Sequence, residues 1–201
     1  MGKFDTRLDI LRKRRTTDSL LYKQFDPDEY ETKLVGRATK YALGCMEQVK
    51  PKYTQTSLEE GQRVAEQLVR GLPEVETRLQ GSVPLNIHIY ASSDVDLLLL
   101  TKRFVTVDAA VFPFYTPLPG INVINALSVL RGEAAVLLRQ KYPAATVDNT
   151  GSKAIALSGG SLARKVDVVP SHWHDGADYH KYRSEAVRGV RILDKCVFRR
   201  T

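Results

Sequence analysis

The sequence predicts an α+β fold in which a mixed β-sheet is flanked by helices. Helical patterns come first, strand-like runs follow, and a long helix separates these runs from a second group of short strands. This order of elements is typical of a sheet with helices packed against it. The chain has 201 residues, of which 43% are hydrophobic, and this suits one domain with a substantial core.

The N-terminal residues differ from the rest of the chain. Residues 3–25 are basic and only loosely periodic, so they predict an amphipathic arm or helix. We therefore divide the chain into a basic N-terminal arm, residues 1–25, and a single folded domain, residues 26–201.

Two helices are predicted before the first strand. The first begins at Asp26, a favoured N-cap residue, has Pro27 in its first turn, and ends at Pro51. The second begins at a capping box formed by Ser57 and Glu60, and an apolar stripe at helical spacing follows it.

The later elements are predicted from apolar runs and the turn residues that bound them. A proline-punctuated loop over 112–120 precedes a helix over 121–141. The pair Gly159-Gly160 predicts a hairpin turn. The predicted strands cover residues 86–90, 95–101, 104–112, 146–149, 154–157 and 162–169, and a last short hairpin covers 189–195.

Three aspartates are the main candidates for chemistry. Asp94 and Asp96 stand at the start of a strand-like run, and side chains two apart on a strand project from the same face. Asp167 lies in a later run and can join them if the two strands are neighbours. Crowded carboxylate oxygens suit Mg²⁺, so the three acids indicate a metal site for phosphoryl or nucleotidyl transfer.

Each of these acids also has a simpler interpretation. Asp94 and Asp96 could form a strand-start turn and an exposed strand acid, although the four leucines that follow indicate a strand entering the core. Asp167 could form a salt bridge with a neighbouring basic side chain, because Arg164 and Lys165 precede it.

The pair Gly81-Ser82 is a candidate nucleotide-binding turn. A turn between a helix and a strand offers backbone N–H groups and a hydroxyl to phosphate oxygens. A plain helix C-cap with glycine is the simpler interpretation. The Asp-x-Asp pattern that follows favours the phosphate interpretation.

The run from His172 to Asp175 resembles a metal cluster only superficially. Its alternate histidines would share one face of a strand, but no cysteine lies near them in sequence and a fourth ligand is not evident. We therefore predict that these residues form a pocket wall or have a structural role.

Charge and composition narrow the range of partners. The formal net charge is +7, with basic residues concentrated at the two ends, so either anionic partners or solvated basic faces are expected. The longest apolar run is strand-sized, so no membrane partner is predicted. Cys45 and Cys196 lie too far apart in sequence to form a redox or metal pair, which suits a reduced, cytoplasmic protein.

The motifs Gly81-Ser82, Asp94-x-Asp96 and Val166-Asp167-Val168 together resemble the DNA polymerase β-like nucleotidyltransferase superfamily. Within it, the chain is most similar to the cGAS-like bacterial enzymes called CD-NTases, which make cyclic di- and trinucleotide second messengers. The two predicted N-terminal helices and the closing segment 189–194 add to the resemblance, which covers roughly residues 26–201.

The resemblance implies a mechanism, a cofactor and substrates. Asp94 and Asp96 would bind Mg²⁺ or Mn²⁺, and Asp167, a third metal ligand, would help to polarise the attacking ribose hydroxyl. Gly81 and Ser82 would bind the triphosphate of ATP, GTP or another nucleoside triphosphate. The product would be a cyclic oligonucleotide signal in bacterial antiphage defence.

Two features depart from the family pattern. Asn86-Ile87 stands where the family usually has Gly-Thr, and this is expected to alter the turn that presents the triphosphate. The C-terminal helical lobe of the family is also not recognisable, so the chain is expected to be either a fragment or a short member.

Three hypotheses follow from the sequence. The first is an Mg²⁺-dependent nucleotidyltransferase that makes a cyclic oligonucleotide. The second keeps this chemistry but transfers the nucleotide to a protein, a small molecule or an RNA end. The third is a non-catalytic module that uses the same fold to bind nucleic acid through its basic ends.

Overall fold

The structure, a computed structural model, describes residues 3–16, 29–46, 49–89, 93–108 and 120–194. It divides into two compact units. The first unit contains residues 1–58 and 82–93, and the second contains residues 59–81 and 94–201.

The described part of the first unit is mainly helical. Helix α1 spans Lys3–Thr16, α2 spans Glu29–Thr32 and α3 spans Arg37–Met46. The next helix, α4, spans Pro51–Gly71 and continues into the second unit. Within this unit, Leu8 and Leu11 of α1 form a small buried cluster against which Tyr41 and Leu43 of α3 pack.

The prediction of one continuous helix from Asp26 to Pro51 is wrong. Helix α2 ends at Thr32, and the bend over residues 33–36 separates it from α3. Gly36 lowers helix propensity at this point, and the preceding residues do not bury an apolar stripe. Asp26 and Pro27 lie outside the described residues.

The predicted start of the second helix is also wrong. Helix α4 begins at Pro51, because proline at the first helical position needs no N–H partner and has a suitable φ. Ser57 therefore lies inside the helix, where its hydroxyl donates to the Tyr53 carbonyl oxygen at 3.0 Å. Glu60 instead accepts a hydrogen bond from the Ala163 backbone N–H at 3.3 Å.

The second unit contains a mixed sheet, which confirms the predicted fold class. Its strands are β1 Val75–Gln80, β2 Val95–Val107, β3 Thr146–Asp148, β4 Ile155–Ser158, β5 Val166–Asp175 and β6 Gly189–Ile192. The strand order is β1-β2-β5-β4-β3, and β6 also pairs with β5. The central pair, β2 and β5, is parallel, and the other pairs are antiparallel.

The strand predictions have mixed outcomes. Strand β1 was not predicted, and the predicted strand over 86–90 is wrong, because the described residues there form turns and irregular backbone. The two strands predicted over 95–101 and 104–112 form one long strand, β2, up to Val107, and residues 109–119 lie outside the described part. The strands predicted over 146–149 and 154–157 are confirmed, with Gly159 and Gly160 in the following turn at positive φ.

The long helix predicted over 121–141 is confirmed as α5, which spans Val123–Lys141. Its N-cap is Asn122, whose side chain accepts a hydrogen bond from the Asn125 N–H at 3.0 Å. Inside α5, the buried Arg131 donates to the backbone carbonyls of Gly151 at 2.7 Å and Ala154 at 2.8 Å. Arg131 thereby fixes the loop between β3 and β4.

Helices α4 and α5 pack closely on each other and on one face of the sheet. A Cβ at Gly71 would lie 2.4 Å from the Leu137 side chain, and one at Gly61 would lie 2.6 Å from the Leu79 side chain. These glycines therefore allow α4 to approach α5 and β1 more closely than any other residue would. The sheet residues fully buried on this helix-covered face include Val95, Leu97, Leu99, Val166 and Val168.

A short helix, α6, spans Ala177–Tyr182 and follows β5. A single 3₁₀ turn over Glu185–Val187 then leads into β6. The prediction of a hairpin within residues 189–195 is wrong, because the described residues there form one strand, which pairs with β5. In the described part of the chain, no helix is both long and apolar enough to span a membrane.

Candidate active site

The parallel pairing of β2 and β5 brings two of the predicted acids together. Asp96 lies directly opposite Asp167 in the register of these strands, so both side chains project from the same face. Their neighbours Leu97 and Val168 point to the opposite, helix-covered face. We call the face that bears Asp96 and Asp167 the acidic face.

The third acid, Asp94, is linked to Asp167 by the side chain of a lysine. The Lys165 ammonium donates to Asp94 Oδ2 at 2.6 Å and to Asp167 Oδ2 at 3.1 Å. Lys165 lies two residues before Asp167 and therefore shares its side of the strand. One ammonium group thus joins Asp94 to Asp167, which in turn lies opposite Asp96, and the salt bridge considered for Asp167 from the sequence is present.

The electrostatics of the cluster reflect its crowding. Burial and the like charges of Asp167 and Asp94 raise the pKa of Asp96, an effect that the Lys165 ammonium only partly offsets. Burial lowers the pKa of Lys165, but its hydrogen bonds to Asp94 and Asp167 outweigh this, so its pKa is raised. The raised pKa of Asp96 thus reflects like charges that a nearby cation would offset.

Gly81 lies directly against Asp96. Its φ is 85°, in the region that favours glycine, and a Cβ at this position would lie only 2.3 Å from Asp96 Oδ2. A side chain at position 81 would therefore strain the backbone and displace the Asp96 carboxylate. This is a structural reason for glycine at this position, in addition to the phosphate-binding role predicted from the sequence.

Ser82 begins the turn that belongs to the first unit. Its carbonyl oxygen accepts a hydrogen bond from the Ile87 N–H at 3.0 Å, which closes the turn over residues 82–86. Asn86 has a φ of 55°, the left-handed conformation that asparagine tolerates better than most residues. Asn86 thus adopts a backbone conformation that also suits glycine. The role of Ser82 in phosphate binding stays a prediction.

The far end of the acidic face has a different character. Leu98, Leu100 and Trp173 form a buried cluster there. The Arg188 guanidinium lies 4.8 Å from the Trp173 ring centroid and forms an ion pair with Asp175 at 2.5 Å. The segment that follows β5 is thereby fastened over the apolar end of this face, away from the acids.

His172 and His174 have structural contacts. His172 is buried, and its ring lies 5.0 Å from that of Phe104. Burial lowers the pKa of His172. His174 contacts the Thr106 hydroxyl at 3.0 Å. These contacts support the structural role predicted for the two histidines.

The acid cluster has a suitable donor set for a divalent cation. Asp94, Asp96 and Asp167 supply hard oxygen ligands, and Asp167 Oδ1 is buried without a hydrogen-bond partner. Among the described residues, no group of three or more His, Cys, Asp or Glu side chains is already placed to hold a metal ion together. Instead, the Lys165 ammonium takes up oxygens of two of the acids.

The sequence analysis offers Lys165 only as a possible salt-bridge partner of Asp167, and its contact with Asp94 is an addition from the structure. The sequence contains a usable signal, because Lys165 and Asp167 are two apart in one strand and must share a face. The second half of the signal, proximity to Asp94, depends on the parallel pairing of β2 and β5 and could not be found locally.

The chain is similar to known proteins named as cyclic dinucleotide synthases. No protein-family model matches the chain. The chain is 40% identical over 161 residues to a cyclic dinucleotide synthase CdnE of Yersinia aleksiciae, covering 79% of this chain and 42% of that protein. It is 31% identical over 186 residues to a c-di-GMP synthase of Capnocytophaga granulosa, covering 78% of this chain and 50% of that protein.

A solved structure has the same fold. The STING-associated CdnE c-di-GMP synthase from a Flavobacteriaceae species superposes with a TM-score of 0.71 at 23% identity, over 95% of this chain and 61% of that chain. The chain spans 42% to 51% of the length of the curated relatives that it matches.

Proposed function

The chain is a relative of the CD-NTases within the polymerase β-like nucleotidyltransferases, and we propose that it contributes the catalytic acids of a cyclic dinucleotide synthase. The main support is the parallel register that places Asp96 beside Asp167, with Asp94 joined to Asp167 through Lys165. Nucleotidyl transfer needs such a group of carboxylates on one face, close to where a triphosphate and a ribose hydroxyl can meet.

The acids have distinct roles in this proposal. Asp94, Asp96 and Asp167 hold Mg²⁺ or Mn²⁺, which would stabilise the negative charge on the triphosphate as pyrophosphate leaves. Asp167 also helps to draw the proton from the attacking ribose hydroxyl, because its Oδ1 is buried and lacks a hydrogen-bond partner. The hydroxyl oxygen then bonds to the α-phosphorus as the bond to pyrophosphate breaks.

Gly81 and Ser82 form the nucleotide-binding turn in this proposal. Gly81 leaves the space that the Asp96 carboxylate occupies, so the backbone of the turn can run close to the acids. The Ser82 hydroxyl and the adjacent backbone N–H groups are suited to phosphate oxygens.

The proposed product is a cyclic dinucleotide made from nucleoside triphosphates. Two relatives are named c-di-GMP synthases, so GTP is the first substrate to test. One solved relative is named as STING-associated, and we propose that the product acts in the cytoplasm as a signal in bacterial antiphage defence. Binding of nucleic acid through the basic ends is not needed for this function.

The decisive experiment measures pyrophosphate release and cyclic products with GTP alone and with all four nucleoside triphosphates, in Mg²⁺ and in Mn²⁺. We expect Asp96→Asn to lower the rate at least about 100-fold. Asp178→Asn, at an exposed acid of α6 outside the cluster, is the matched control and should behave as the parent.

Product chromatography separates the hypotheses. A cyclic dinucleotide supports the proposal, whereas a nucleotide attached to a protein, a small molecule or an RNA end would replace it with ordinary nucleotidyl transfer. Absence of pyrophosphate release from the parent, with equal behaviour of Asp96→Asn and Asp178→Asn, would overturn it.

A further inference from the structure

The position of the Lys165 ammonium is the basis of a further inference. Its nitrogen lies 2.6 Å from Asp94 Oδ2 and 3.1 Å from Asp167 Oδ2, so one cation already joins two of the three acids. A divalent ion bound by these acids would draw on the same two carboxylates, and two cations so close together repel each other. The ammonium therefore opposes ion binding for as long as it keeps these contacts.

The lysine is fixed in this place by the backbone. Lys165 precedes the first residue of β5, and its carbonyl oxygen accepts a hydrogen bond from the Val95 N–H at 3.0 Å. The same register that pairs Asp96 with Asp167 thus places Lys165 beside the start of β2. Its position beside the acids follows from the sheet and does not depend on a flexible loop.

The contact is also one that can open. The side chain of Lys165 is 39% exposed, as is that of Asp94, so the ammonium can move into water. Asp167 is less exposed, at 20%, and its second oxygen lacks a partner. Release of Lys165 would therefore leave Asp167 with both oxygens in need of a cation.

We propose that Lys165 is a tethered cation that neutralises the acid cluster until a divalent ion displaces it. This inference rests on the metal site of the proposed function. Lys165 is a positioning residue in this scheme: it keeps Asp94 and Asp167 close together despite their like charges, and it lowers the affinity of the cluster for a divalent ion. An uncharged residue at position 165 should therefore tighten ion binding.

The test measures Mn²⁺ binding by calorimetry without nucleotide, using the full chain. Lys165→Met keeps the length of the side chain and removes its charge, and we expect it to bind Mn²⁺ about five- to ten-fold more tightly than the parent. In EDTA, the same variant should unfold at a lower temperature, because the repulsion among the acids is no longer offset.

Two controls isolate the position of the charge. Lys165→Arg keeps the charge and should bind Mn²⁺ about as weakly as the parent. Lys153→Met removes an exposed lysine that is paired with Asp194 at 3.5 Å and should leave Mn²⁺ affinity unchanged. If Lys165→Met does not fold, Lys165→Gln is the replacement with the same expected result.

The outcomes are distinct from those of the activity assay. Mn²⁺ affinity that is equal or weaker in Lys165→Met, or an equal gain in Lys153→Met, would overturn the inference even if the chain makes a cyclic dinucleotide. No Mn²⁺ binding to any of the proteins would also overturn it. Tighter binding in Lys165→Met supports the inference even if no product forms, because the measurement contains no nucleotide.

Discussion

The helix-covered face and the acidic face of the sheet consist of alternate residues of the same strands, yet they differ in what surrounds them. On the first, Leu97 and Leu99 are completely buried beneath helices. On the second, Asp96, which immediately precedes Leu97 in sequence, lies close to two other carboxylates and a lysine. A single strand therefore contributes both to the core and to the site.

The helix-covered face contributes to the stability of the fold, and the acidic face carries the residues proposed for chemistry. The apolar face gains free energy from burial, roughly 25 cal/mol per Å² of apolar surface. The acidic face gathers like charges, which costs free energy until a cation offsets them. The packing of α4 and α5 on the first face is thus what allows the second face to keep its acids together.

The largest effect on stability is expected from the helix-covered face. Leu99→Ala removes a fully buried side chain and leaves a cavity, so it should lower the free energy of unfolding by about 3–5 kcal/mol. Asp96→Asn, at a position next to the same core, should leave the unfolding temperature in EDTA unchanged or raise it, because the ionised form is disfavoured there. Thermal unfolding of both variants measures the contrast.

A similar loss of stability in both variants would contradict this comparison, because it would mean that the acids contribute to the core. A variant at an exposed aliphatic residue, Val136→Ala on the outer side of α5, shows the background effect of removing methyl groups.

The next effect concerns the glycine beside the acids. Gly81→Ala and Gly159→Ala both place a side chain at positive φ, with φ values of 85° and 76°, so each should lose about 1–2 kcal/mol. Only Gly81→Ala brings its Cβ against Asp96 Oδ2, since no atom lies within 4 Å of a Cβ at Gly159. We therefore expect weaker Mn²⁺ binding in Gly81→Ala alone, measured by calorimetry.

Equal Mn²⁺ affinity in the two glycine variants would show that the Asp96 carboxylate tolerates displacement. It would also mean that backbone strain, and not contact with the carboxylate, is the reason for glycine at position 81.

The smallest expected effect is a dependence of the free energy of unfolding on pH, caused by a buried histidine of the helix-covered face. Burial lowers the pKa of His172 below its ordinary value of 6.5, so the unfolded chain binds a proton more readily than the folded chain does. The stabilisation that neutral His172 provides is therefore complete above the ordinary pKa of the unfolded chain. It is lost as the pH falls through the lower pKa of the folded chain.

Denaturant unfolding at several pH values between about 5 and 7 measures this dependence. His172→Gln should reduce the loss of stability at the acidic end by an amount of the order of 1 kcal/mol. His180→Gln, at an exposed position, should leave the slope unchanged. If the free energy of unfolding of His172→Gln depends on pH as it does in the parent, the burial of His172 has no consequence for proton binding.

Much of the sheet and of the site could be predicted because the signals are local. The spacing of Asp94 and Asp96 before four leucines indicates a strand that enters the core with acids at its start. The apolar periodicity that predicts α5 is equally local, and this helix is confirmed. That Asp167 lies on the same face as Asp96 agrees with the expectation from the motifs.

The errors arise where local signals are ambiguous or where tertiary contacts decide. In strand β1, Val75–Gln80, only Val75 and Leu79 are strongly apolar, so the local signal for a strand is weak. Pro51 is compatible with both the end and the start of a helix. Glu60 does not cap a helix. Its side chain accepts a hydrogen bond from the Ala163 backbone N–H, which lies far away in sequence.

The parallel pairing of β2 with β5 has one more consequence. Two of the acids lie before α5 and the third lies after it, so neither half of the chain contains the whole site. A synthetic peptide with residues 93–107 would contain Asp94 and Asp96 but would have no sheet partner to supply Asp167. During synthesis, the cluster of three acids therefore forms only after residue 167 has been added and β5 has paired with β2.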